Sequence, residues 1–87
     1  MEKTRLEFLM SVVGNVLAYL KKNPSANYQE ILRFASKYAP KKDEEKRLLV
    51  VLAISKTFDY VERNPRLDEK KAIQYLMKEF SKESFDN

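Results

Sequence analysis

The sequence predicts an all-α fold, a four-helix bundle built from two similar antiparallel helical hairpins in the order long, short, long, short. Three observations predict it. One glycine and three prolines among 87 residues, with Lys, Glu and Leu plentiful, favour helices over sheets. Apolar residues recur at helical spacing in four stretches. The punctuation Asn23-Pro24, then Asn27, returns 41 positions later as Asn64-Pro65, then Asp68.

The first helix is expected over about residues 3–22. Leu9, Met10, Val13, Leu17 and Leu20 share one face; Phe8, Val12 and Tyr19 form a second stripe beside it. Glu7, Ser11, Gly14, Asn15 and Ala18 take the remaining arc, so the apolar arc is wide enough for a central helix touching two neighbours. Gly14, next to Ala18, is expected to let another helix approach closely. Pro24 stops this helix, because its ring removes a donor and disfavours the α conformation in the residue before it. Asn27 restarts the chain as an N-cap, with Glu30 three residues on as in a capping box.

A second, shorter helix follows over about 27–39, with Ile31, Leu32, Ala35 and Ala39 on its inner face. The third is expected over about 43–63, with Asp43, Glu44 and Glu45 in its first turn, where the helix dipole favours carboxylates. Val50, Val51, Ile54, Phe58 and Val61 match the core face of the first helix position for position, and Leu49, Ala53 and Tyr60 repeat its second stripe. Pro65 ends this helix and Asp68 caps the fourth, over about 68–82, with Ala72, Ile73, Leu76 and Phe80 inward. Tyr19/Tyr60, Asn23/Asn64, Pro24/Pro65 and Lys37/Lys78 are identical across the two halves. The whole of 1–87 is read as one domain, with hairpins over about 3–39 and 43–82 and a flexible tail at 83–87.

At about 1.5 Å per residue the long helices reach roughly 30 Å and the short ones roughly 20 Å. A short helix folding back therefore leaves part of its long partner bare: Leu6, Phe8 and Leu9 on the first helix, and Leu48, Leu49 and Val50 on the third. The opposite hairpin, or a second copy of the chain, must cover them.

Several functions are excluded by composition. With no histidine and no cysteine, the commonest general base, the best neutral-pH nucleophile and any thiolate metal site are missing. The Glu-x-x-His pair of a di-metal bundle cannot be formed, and there is no glycine-rich phosphate loop. The expectation is a protein that is not an enzyme and carries no cofactor. Its longest uncharged stretch, Phe8 to Leu20, is too short to cross a bilayer at about 20 residues per span. Glu2 and Glu7 interrupt the basic start that a signal peptide needs, so no membrane partner and a cytoplasmic location are expected.

Two surfaces stand out. Leu48 and Leu52 lie one turn apart on a face of the third helix that otherwise carries Glu44, Ser55, Asp59 and Glu62, and their counterparts in the first half are Glu7 and Ser11. An apolar pair that one hairpin has and the other lacks points to a contact made by that hairpin, with Leu6 and Phe8 as contributors. Cover by the fourth helix, or by the tail with Phe85, is the structural alternative. Charge is also uneven. Residues 1–42 hold eight Lys or Arg against three Glu, whereas 43–87 hold nine against ten acids. Arg33, Lys37, Lys41 and Lys42 form the candidate basic patch, with Tyr28 and Tyr38 nearby to stack on bases. The sequence is thus read as a small interaction module that binds a protein partner or a second copy of itself. The alternative is a small basic nucleic-acid-binding protein making mainly phosphate contacts.

Overall fold

Helices begin and end where a side chain or a proline supplies or withholds a backbone hydrogen bond. The computed structural model describes residues 3–82 and contains α1 (Lys3–Lys22), α2 (Tyr28–Ala35) continued by one 3₁₀ turn (Ser36–Tyr38), α3 (Glu44–Arg63) and α4 (Glu69–Lys82). The expected tail at 83–87, Phe85 included, lies outside the described residues.

The repeated punctuation is repeated in bonds. The backbone N–H groups of Asn23 and Asn64 donate to the carbonyls of Tyr19 and Tyr60 at 2.9 and 3.0 Å. Each asparagine side-chain amide donates to the same tyrosine carbonyl, at 3.0 and 2.9 Å. The proline that follows has no N–H to continue the ladder, so α1 and α3 stop at equivalent places. Asn27 and Asp68 then accept from the N–H groups of Glu30 (2.9 Å) and Lys71 (3.2 Å), starting α2 and α4. Ring contacts repeat too: Tyr19 stacks on Phe34 with centroids 4.4 Å apart, and Tyr60 lies over Tyr75 at 4.9 Å, both pairs at the same 41-residue offset.

Two boundaries differ from expectation. The second helix is not α-helical to residue 39. Pro40 lacks an N–H and pushes Ala39 into an extended conformation (φ −126°, ψ 119°), so the last turn tightens to 3₁₀ with Ala39 N–H donating to the Ser36 carbonyl. Asp43 is not in the first turn of α3 but is its N-cap, its carboxylate accepting from Lys46 N–H at 3.0 Å.

α1 and α3 are the central pair and run in the same direction. Arg5 near the start of α1 pairs with Glu45 at the start of α3 (2.8 Å), and at the other pole Leu20 and Pro24 share a recess with Val61 and Pro65. The short helices cross over between hairpins: α2 packs more extensively on α3 than on α1, and α4 more on α1 than on α3. The core is one cluster, drawn from Leu9, Val12, Val13, Val16, Leu17 and Leu20 of α1, Ile31 and Ala35 of α2, Leu49, Val50, Ala53 and Ile54 of α3, and Ala72, Leu76 and Phe80 of α4. Leu9 and Val50, bare within their own hairpins, are 0% and 2% exposed, so the opposite hairpin buries them.

Two inward assignments and one expected close approach change. Val51 and Ile73, expected on core faces, are 42% and 36% exposed, because each sits at the edge of its apolar arc, where the neighbouring helix does not reach. Gly14 admits no close helix: a Cβ added there would meet nothing within 4 Å. It faces away from the core with Ser11, Asn15 and Ala18.

No helix among the described residues is long and apolar enough to cross a membrane.

Candidate functional site

The first half of α3 carries the most exposed large apolar side chain of the described residues. Leu48 is 67% exposed, and Val51, three residues on, is 42% exposed. Leu52 shares their side of the helix but is half-buried and packs against the core. The spacing i, i+3, i+4 puts all three on one outward strip.

This strip separates two concavities. Toward α1, Leu48, Leu49 and Leu52 line an open groove closed at its end by the Arg5–Glu45 ion pair. Toward α2, an apolar cleft of about 240 Å³ opens between Leu32 and Ala39 on one wall and Val50 and Val51 on the other, with Lys41 and Arg47 at its mouth. Val51 belongs to both the strip and the cleft.

The residues expected from sequence are only partly brought together. Leu48 and Leu52 do share one groove. Phe8 lies in an adjoining recess with Thr4, Asp43 and Lys46, where the Lys46 ammonium stands 5.8 Å from its ring. Leu6 is not beside them. Two residues apart on a helix means roughly 160° apart around the axis, and Leu6 is half-buried against the core away from that recess. α4 does not cover Leu48, which answers half of the structural alternative; the tail with Phe85 lies outside the described residues.

The basic patch divides between two sides of α2. Arg33 lines a shallow recess with Tyr19, Asn27 and Phe34, on the side facing α1. Lys41 faces the cleft toward α3. Lys37 lies over aromatic faces, 4.4 Å from the Phe34 centroid and 5.4 Å from Tyr38, while Lys42 is exposed. Tyr28 and Tyr38 are half-buried, Tyr28 edge-on to Phe58 and Tyr38 edge-on to Phe34. Of the three acids beside the patch, Asp43 is occupied as a cap and Glu45 by Arg5. The run from Arg33 to Arg47 thus holds six cations against three carboxylates, two of which are engaged locally.

Sequence reasoning missed the cleft and the exposure of Val51. Both follow from α2 ending early and from small side chains at Ser36 and Ala39, a signal that was visible in the comparison of the two halves. It also missed the exposure of Ile73 and Met77, one turn apart on α4, and of Tyr75 on the other flank of that helix.

No protein-family model, curated protein or solved structure matches the chain.

Proposed function

We propose that the protein is a small non-enzymatic interaction module that buries the outward strip of α3 against a protein partner. The observation that carries this reading is the 67% exposure of Leu48 on a helix whose opposite face is fully packed. An isolated exposed leucine needs no explanation, but Leu48 adjoins Val51, Leu52 and two apolar concavities, and such contiguous patches mark contact surfaces. The cations beside the strip would steer an acidic partner toward it and speed association at low salt.

Leu48→Glu is the informative substitution, since Leu48 makes little contribution to the core while Leu52 does. The variant is expected to keep the melting temperature within about 3 °C of the parent, in keeping with the small effect of most surface changes, and to lose self-association or cross-linking to the partner. A large drop in melting temperature with binding intact would show Leu48 to be a packing residue and end this reading. The excess of cations over acids between Arg33 and Arg47 favours one second reading, nucleic-acid binding through phosphates. Sedimentation with short single- and double-stranded nucleic acids separates the two: co-sedimentation that falls steeply with salt and vanishes in Lys41→Glu/Lys42→Glu would put the second reading first.

A further inference from the structure

The cleft between α2 and α3 is a departure of the molecule from its own internal repeat. Ser36 and Ala39 stand where the second hairpin has Met77 and Phe80, and Arg47 stands where α1 has Leu6. In the second hairpin Phe80 is completely buried. There a phenyl ring near the end of the short helix is enclosed in the core; at the corresponding place in the first hairpin the side chain is a methyl group, and a cleft of about 240 Å³ remains. Helix α2 also stops at Ala35, so the segment that forms this wall is a 3₁₀ turn and an extended residue rather than a further turn of α-helix.

Its walls are apolar: Leu32, Ala39, Val50 and Val51. Its mouth is cationic. Lys41 and Arg47 both line it, and among the described residues neither forms an ion pair with a carboxylate. An apolar hollow with two uncommitted cations at the rim suits a ligand carrying a bulky apolar group next to negative charge. The guanidinium of Arg47 can take a carboxylate through two parallel hydrogen bonds, and Lys41 adds a point charge. Continuity with the strip through Val51 makes the ligand a part of the same partner rather than a separate small molecule.

We propose that this cleft binds an acidic linear peptide segment, with one aromatic side chain of the segment seated where Phe80 sits in the other half and flanking carboxylates on Lys41 and Arg47. The proposal rests on the interaction-module reading and names the chemistry of the partner. Backbone hydrogen bonding is not needed for it; the anchor and the charges set the register.

The test is a titration of the isotope-labelled full chain, followed by amide chemical shifts, with the capped peptide Asp-Glu-Phe-Asp-Glu. Controls are the same peptide with Ser for Phe, the peptide with Lys for its acids, and a short oligo(dT). Saturable shifts are expected at Leu32, Ser36, Ala39 and Val51, with at least tenfold weaker binding for each altered peptide. Lys41→Glu/Arg47→Glu should weaken binding at least tenfold while leaving the fold intact. Ala39→Phe supplies from within the chain the ring that the peptide would bring, and should abolish binding at an equal or higher melting temperature. Binding that survives Ala39→Phe, or shifts scattered over the surface lysines alone, would overturn the proposal. So would preference for oligo(dT), which would instead assign the cations to nucleic acid. Leu48→Glu distinguishes the two readings: it should spare peptide binding, so loss of the cleft with retention of a Leu48-dependent contact removes this inference and leaves the proposed function standing.

Discussion

Thr57 is wholly buried and its hydroxyl has no hydrogen-bond partner, while the equivalent position in the first half is Val16, buried in the same core. A buried hydroxyl without a partner retains the cost of leaving water, about 1–3 kcal/mol, and valine has nearly the same shape without it. Thr57→Val should therefore raise stability by about 1 kcal/mol, which for a domain of this size moves the melting temperature up by roughly 4–8 °C. A fall on substitution would show that the hydroxyl bonds a backbone carbonyl after all. Lys37 illustrates the opposite economy. Its ammonium rests on the Phe34 ring, so a residue that reads from sequence as a free phosphate contact is already engaged by an aromatic face.

At the scale of the element, caps and prolines set the boundaries, and they are local enough to read in advance. Asn27 and Asp68 each satisfy one N–H at the start of a short helix, and a short helix has few other bonds to hold its first turn. Asn27→Ala or Asp68→Ala should each cost about 1 kcal/mol in denaturant unfolding, with the slope against denaturant unchanged. Failure of either to lower the midpoint would mean that tertiary packing alone starts that helix. The same local chemistry explains what sequence reading misplaced. Pro40 cuts α2 short and Asp43 serves as a cap rather than a first-turn acid, both consequences of where a donor is missing. The early end of α2 is what leaves the wall of the cleft low.

For the whole molecule, the decisive feature is that each short helix leans more on the opposite long helix than on its own. Neither hairpin then owns a complete core, and a helical pair with half its apolar face bare is marginal in water. Fragments 1–42 and 43–87 should each be largely unfolded alone by circular dichroism and regain cooperative melting when mixed; a cooperative transition in either fragment by itself would contradict the shared core. The cross-hairpin ion pairs Arg5–Glu45 and Lys21–Glu69 are surface contacts and add little beside that burial. The four helices, their order, their turns and most of the buried set were determined by the sequence alone, because helical periodicity, proline and capping residues act over a few positions along the chain. Even the candidate leucines were legible, since the internal repeat supplies a reference in which Glu7 and Ser11 stand where Leu48 and Leu52 do. Only the tertiary structure decided that Val51 faces outward, that Arg33 and Lys41 serve different sides of α2, and that the space beside Ser36 and Ala39 stays open as a cleft. Each of these depends on how far a neighbouring helix reaches, which is fixed by packing between residues distant in the chain and is not written in the spacing of any one helix.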